Sequence, residues 1–488
     1  MVKASPIVIL LSLILLGTGV GVFVSQKSPT PTKKEAIEEP EDLQAQLKLM
    51  EGQVEYLQGQ VGALQEENAQ LLQKLGTLGM KGIPKMEPAV ANEDEDMTPD
   101  YVGMGLDMMK FRQIQALPIP TVGATQAEVE KAILKWMRQQ QPNDEAPRFA
   151  LALTALGWID KPVDPLPLRA ALWARQIGGW YDQESRTLLV TDAEPIPGKP
   201  APDRPLAIAV GQLLREFGST LFPEERTRSL STDERLAREA LLAGDAGLTR
   251  FLFSLQNPAA APTSDLPAED PDHPLNEVPL PVFLRELAMF PFRPGFEFAQ
   301  TLHSAGGFAQ LNAAYSRPPL DCTEIIETER YLDNQALPPT HLEFPSITVN
   351  GNEPYWDDSL GRFAIFTALR TYNSDEAAGQ GARGWQSDRL LAYAAPEHPR
   401  DHVAWQTQWL TPENADAFFI AMRNWLLQRY DVKATVDSAE EFSLQDQGRH
   451  IQLLRNRGRQ GVLLLDAATA EFGMALRSTL NTVSKDAP

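Results

Sequence analysis

A single cysteine, Cys322, stands in a chain of 488 residues. It can form no intramolecular disulfide, and the same count excludes cysteine-rich zinc sites and a CxxC redox pair. A lone cysteine reads as a small core residue. Histidine is also scarce, with six residues at 273, 303, 341, 398, 402 and 450. Only His398 and His402 have i,i+4 spacing, and Pro399 lies between them in the loop-like stretch EHPRDH. They read as exposed loop histidines rather than a metal pair. Basic charge is in deficit too: 44 Lys and Arg against 65 Asp and Glu leave a net charge of -21. Such a surface repels phosphate, which argues against nucleic acid as a partner and for a soluble, self-repelling exterior. The sequence contains no G-x-S-x-G nucleophile elbow, no P-loop and no Rossmann glycine motif. Spacing alone leaves open a serine- or acid-based site gathered from distant segments.

One long apolar run is present. Pro6 to Val24 (PIVILLSLILLGTGVGVFV) carries no charge and is close to the length a helix needs to cross a bilayer. Lys3 precedes it while Lys27, Lys33 and Lys34 follow, so charge bias does not fix the orientation. A cleaved signal peptide is the rival reading. The length of the run and the lack of an A-x-A-like exit favour an uncleaved signal-anchor over residues 1–27. No cysteine follows as a lipoprotein signal would require.

After a polar spacer at 28–40, a heptad repeat begins. One seam is Leu43, Met50, Leu57, Leu64, Leu71 and Leu78; the other is Leu47, Val54, Val61, Asn68 and Leu75. Valine at a with leucine at d favours two parallel strands, and one buried Asn fixes register by needing its counterpart as a hydrogen-bond partner. Residues 41–78 are therefore expected to form a parallel coiled coil that pairs the chain with itself. Gly52, Gly59, Gly62 and Gly76 weaken the helix, each by about 1 kcal/mol relative to Ala where exposed. The alternative is one amphipathic helix packed on its own globular part. Residues 79–101 read as an acidic, Pro-rich linker.

From 102 onward the pattern is α+β and mainly helical, with units expected at 102–335 and 336–488, the second packed on the first. Apolar spacing predicts helices over Gln126–Gln140, Ala146–Trp158, 205–221 and Leu236–Leu255, with a further helical stretch after Pro281. Trp180 to Asp192 reads as a hairpin. Towards the C-terminus, Phe363–Thr371, Ala415–Arg429 and Ala467–Leu480 read as helices. Leu390–Tyr393, Val403–Leu410, His450–Leu454 and Gly461–Leu465 read as strands. Trp405 and Trp409, at strand spacing, read as core.

Six segments in order carry a resemblance. They are GWYDQESRTLLV (Gly179–Val190), AVGQLLREFGSTLF (Ala209–Phe222), EALLAGDAGLTRFLF (Glu239–Phe253), FPFRPGFEF (Phe290–Phe298), AGGFAQLNAAYSRPPLDCTE (Ala305–Glu324) and GWQSDR (Gly384–Arg389). Across about residues 125 to 425 the chain resembles a family of bacterial zinc metallopeptidases of the gluzincin type. In that family a strand motif precedes a helix bearing HExxH, and a second helix of the form EGDAT supplies the third zinc ligand. HExxH works because two imidazoles four residues apart bind Zn²⁺ from one helix face while the Glu activates water.

The resemblance puts Gly211 and Arg215 at the two His positions, Gln212 at the Glu, and Ala243 at the third ligand. Gly and Ala have nothing to coordinate with, Arg is a permanent cation, and Gln cannot take a proton from water. A register slipped by one residue puts Val210, Gly211 and Leu214 there, equally without ligands. The implied protein is a degenerate peptidase with no catalytic residues, no metal and no other cofactor. Asp245 would hold a neighbouring loop by hydrogen bonds, and Trp385, Asp388 and Arg389 would form one polar cluster. The expected function is a dimeric scaffold or binding module, tethered in a bacterial cytoplasmic membrane with its globular part outside, for a protein or peptide partner. An active hydrolase with a relocated site and a purely structural envelope protein are the alternatives.

Overall fold

The computed structural model describes residues 100–486 apart from 116, 142–143, 193–201, 224–229, 258–273, 334–346 and 456–459. The expected membrane helix, spacer, coiled coil and all but the end of the linker lie outside the described residues. Among the described residues, no helix is long and apolar enough to cross a membrane. The fold is mixed α+β, with 56% helix against 18% strand, so helix dominates.

Tyr101, taken as the end of the linker, instead opens helix α1 (Tyr101–Phe111). The side chain of Asp100 caps it, accepting from the Gly103 N–H at 2.7 Å. Helix α2 (Gln126–Gln139) starts at a capping box in which Thr125 and Glu128 satisfy each other's backbone N–H. Its buried face is Val129, Ile133, Trp136 and Met137, the spacing of one helical stripe. Helices α3 (Glu145–Leu156) and α4 (Pro165–Ile177) both end on a left-handed glycine, Gly157 and Gly178. Helix α5 (Arg204–Leu221) follows the hairpin, and α6 (Thr232–Gln256) runs back against it. Helix α6 begins a turn before the expected Leu236, because Ser231 and Glu234 form a second capping box.

Helix α7 (Val282–Met289) leads into α8 (Arg293–Ser316), which kinks at Gly306 and Gly307. Gly307 has φ 64° and ψ -158°, a conformation open essentially only to glycine. Helices α6 and α8 cross with their backbones touching: a Cβ on Gly244 would lie 2.0 Å from the Gly295 carbonyl oxygen. Two short helices, α9 (Cys322–Ile326) and α10 (Thr328–Leu332), complete this half.

A small sheet of β1 (Thr121–Ala124), β2 (Gly179–Asp182) and β3 (Thr187–Thr191) has the order β1-β3-β2, with β1 parallel to β3 and the hairpin antiparallel. The second sheet is wholly antiparallel. It contains β4 (Trp356–Asp358), β5 (Trp385–Tyr393), β6 (His402–Trp409), β7 (Ala434–Asp437), β8 (Glu441–Asp446), β9 (Arg449–Arg455) and β10 (Gly461–Ala467), in the order β4-β5-β6-β10-β9-β8-β7. Helices α11 (Gly361–Leu369) and α12 (Asp375–Ala382) connect β4 to β5, α13 (Pro412–Tyr430) follows β6, and α14 (Ala470–Asp486) follows β10.

Both faces of the large sheet are covered. Along β5 and β6, Leu390, Ala392, Val403 and Trp405 join the main core, while Leu391, Tyr393 and Ala404 join a smaller core under α14 with Phe472 and Leu476. Successive strand residues point to opposite faces, so both sets are apolar. The main core is continuous from Met108 in α1 to Leu464 in β10, which packs the sheet and the helical half on one another.

Candidate functional site

The β2–β3 hairpin lies on α5, and glycine is what lets it approach. A Cβ on Gly211 would come within 2.6 Å of Leu188 Cδ1 and 3.5 Å of Tyr181 Cβ. Arg215, one turn on, donates to the Leu117 carbonyl at 2.8 Å. Burial pushes the Tyr181 hydroxyl up, and the Arg215 charge opposes that shift. Gly211 and Arg215 therefore share the hairpin side of α5.

Gln212 turns elsewhere. It is 2% exposed, and a Cβ on Gly105 would lie 2.8 Å from its Nε2, so α1 sits directly on it. Its Oε1 is buried with no hydrogen-bond partner in the protein. Ala243 lies buried on α6, beside Gly244 against α8 and two residues before Asp245. None of the four side chains offers an imidazole or carboxylate. Among the described residues, no group of three or more His, Cys, Asp or Glu is arranged to hold a metal ion.

Asp245 anchors α1 in place. Its carboxylate takes both arms of Arg112, the residue that closes α1, at 2.9 and 2.7 Å. Tyr315 Oη and Thr249 Oγ1 donate to it at 2.9 and 3.1 Å. Arg112 and Asp245 are both fully buried, the setting in which a two-bond pair is needed to keep the charges inside. Burial, then the Asp245 charge, holds the Tyr315 hydroxyl well above its ordinary range, so it stays a donor. His303 stands against the ring of Phe308 and is shifted down by burial and by Arg112. The partners of Asp245 come from a helix end and a helix, where a loop was expected.

The expected cluster of Trp385, Asp388 and Arg389 divides. Asp388 accepts from Trp385 Nε1, Trp405 Nε1, Ser359 Oγ and the N–H groups of Leu360 and Gly361, at 2.9 to 3.1 Å. Arg389 goes instead to Asp357 on β4. Neighbours in a strand face opposite ways, which separates the two. Beneath Asp388, Asp233 accepts from the Cys322 N–H at 3.1 Å, and Asp358 accepts from the N–H and hydroxyl of Thr232. Burial raises all three carboxyls, Asp358 to about 7. It also holds the Cys322 thiol far above its ordinary value, which suits a packing residue.

His402 is not an exposed loop histidine. It opens β6, 6% exposed, stacks on Phe472 at 3.9 Å and accepts from the Ala468 N–H through Nδ1 at 2.9 Å. Burial, then Arg449, pushes it down to about 4. The proline that marked EHPRDH as a loop ends before the strand begins. Trp405 and Trp409 are fully buried core, as their spacing suggested.

Residues 352–477 match the model of a domain of unknown function, DUF8575. No curated protein and no solved structure matches the chain. The matched stretch spans the large sheet with α11, α12 and α13, and contains Asp388 and its donors from Ser359 to Trp405.

A cleft of about 470 Å³ lies where that stretch meets the helical half. Phe290, Ile325, Phe363 and Phe366 supply apolar wall, and Glu297 and Glu329 supply carboxylates. Arg362 also lines it, its charge engaged by Glu327. Ile326 is 42% exposed at this cleft. The volume is in the range of ligand and peptide pockets. Gly211, Gln212, Arg215 and Ala243 do not line it. The sequence did contain a signal: FPFRPGFEF contributes Phe290, Pro294 and Glu297.

Proposed function

We propose that this is a membrane-tethered, dimeric, peptidase-like protein that holds a protein segment rather than cleaving one. The observation that carries the reading is the burial of Gln212 under α1. The position where a gluzincin would place its general base is an amide, covered by Gly105 and locked by the Arg112–Asp245 pair. The order of hairpin, helix and second helix supports the kinship, while Gly211, Arg215 and Ala243 offer no zinc ligands. Anchored by Pro6–Val24 and paired through Leu43–Leu78, two such chains would present their clefts on the outer side of a bacterial cytoplasmic membrane.

The cleft of Phe290, Ile326 and Phe363 is the surface for holding. Its apolar wall and its carboxylates Glu297 and Glu329 suit a segment with an apolar side chain flanked by a basic residue. Crosslinking the full-length chain in its membrane, followed by denaturing recovery, should give a discrete partner. Ile326→Asp should remove that partner, whereas Met474→Asp, at an exposed position on α14, should keep it. A partner kept by both variants, or cut by the purified chain, overturns the reading.

A further inference from the structure

Charge in the cleft between α8 and α11 is not balanced. Arg362 is engaged by Glu327, which Arg330 also approaches at 3.4 Å. Glu297 has Arg293 at 3.3 Å, one turn back on α8. Glu329 is exposed, and among the described residues no cation pairs with it. Hydroxyl donors in the wall are spent as well. Thr301 Oγ1 donates to the Glu297 carbonyl at 2.9 Å and Thr328 Oγ1 to the Ile325 carbonyl at 3.3 Å. An anionic ligand would meet like charge at Glu329. A cation that brings its own N–H donors meets an answering carboxylate.

The apolar wall narrows the choice of cation. Phe363 and Phe366 lie one turn apart on α11, both only partly buried, and Phe363 packs on Phe290 with ring centroids 4.4 Å apart. A guanidinium is planar, weakly hydrated and stacks on aromatic rings, whereas an ammonium is compact and strongly hydrated. It also carries five N–H donors and no acceptor. The chain already uses this combination of ring and carboxylate. Arg169 lies 4.7 Å over Trp173 while bound to Glu239, and Arg112 lies 4.6 Å over Phe308 while bound to Asp245.

We propose that the cleft reads an arginine of the held segment, with Glu329 as the selecting charge and Phe363 and Phe366 as apolar support for the side chain. This rests on the cleft being the holding surface and names what that surface selects.

Three peptides of the form acetyl-Gly-Leu-X-Gly-amide, with X as arginine, lysine or citrulline, separate charge from shape. Ligand-observed NMR titration of the full-length protein should show saturable binding of the arginine peptide. Citrulline keeps the shape without the charge and should bind more weakly by about fivefold or more. Lysine keeps the charge without the planar fork and should fall between the two. Glu329→Gln should weaken the arginine peptide by about threefold or more and leave the citrulline peptide unchanged. Gly379 lines the cleft and a Cβ there would meet nothing within 4 Å, so Gly379→Leu places a side chain in the open space and should abolish binding. Equal binding of the arginine and citrulline peptides, or unchanged affinity in Glu329→Gln or Gly379→Leu, would overturn the proposal and leave the holding reading in place. Absence of saturable binding by any of the three would overturn it too, and the holding reading falls with it only if Ile326→Asp keeps the crosslinked partner.

Discussion

Replacing Arg112 with Ala tests how α1 is held over Gln212. The wild-type guanidinium is fully buried, donates twice to Asp245 and lies 4.6 Å over the ring of Phe308. Truncation leaves the Asp245 carboxylate inside with only Tyr315 and Thr249 as donors. Removing one partner of a buried pair costs about 3–5 kcal/mol, because the remaining charge has lost its counter-ion. Against a total stability of roughly 5–15 kcal/mol that is a large fraction. The cost belongs to the orphaned charge rather than to the pair, so Arg112→Met with Asp245→Asn, which removes the charge but keeps an acceptor for Tyr315 and Thr249, should recover a large part of it. Urea unfolding of the full-length chain, followed by tryptophan fluorescence, gives both numbers. Hydrogen exchange should show α1 as the first segment to lose protection in Arg112→Ala. A loss below about 1 kcal/mol for the single variant, or a double variant no better than the single, would refute the reasoning.

Asp358→Asn addresses the buried carboxyls. The folded value of about 7 lies above the unfolded value near 3.9, so the native state holds the proton more tightly. That contribution is present below about pH 4 and is lost as pH rises through 7. Asn can still accept from the Thr232 N–H, so the variant should show a flatter pH slope and exceed wild type at pH 8. An unchanged difference between urea midpoints at pH 5 and pH 8 would count against the assignment. At the helix crossing, Gly244→Ala forces a methyl onto the Gly295 carbonyl and should cost about 1–3 kcal/mol or more. Gly379→Ala on α12 meets nothing within 4 Å and should be neutral or stabilising by up to about 1 kcal/mol. Equal melting temperatures for the two glycine variants would contradict the backbone contact.

Elements with a one-sided stripe were legible in the sequence. Helix α2 announces itself through Val129, Ile133 and Met137, and the hairpin through the polar turn between Tyr181 and Leu188. Strands β7 and β8 were missed: β7 is mostly exposed, and the polar–apolar alternation of β8 rests on only two apolar residues, Phe442 and Leu444. Helix α8 was only partly read, because Gly306 and Gly307 interrupt its pattern and register as a turn, although the helix resumes beyond the kink. Residues of the site were legible as motifs but not as contacts. Asp245 stood out in AGDAG, yet its main partner Arg112 lies 133 residues away and has no motif of its own. Gly105 gave no sign of its role, since a close approach to Gln212 depends on how α1 packs.

The central proposal is that α5 and α6 carry no zinc chemistry. Metal analysis of the full-length protein after equilibrium dialysis against zinc tests it most directly. No stoichiometric zinc is expected. One tightly bound zinc per chain, removed by a chelator together with a peptide-hydrolysing activity, would contradict it.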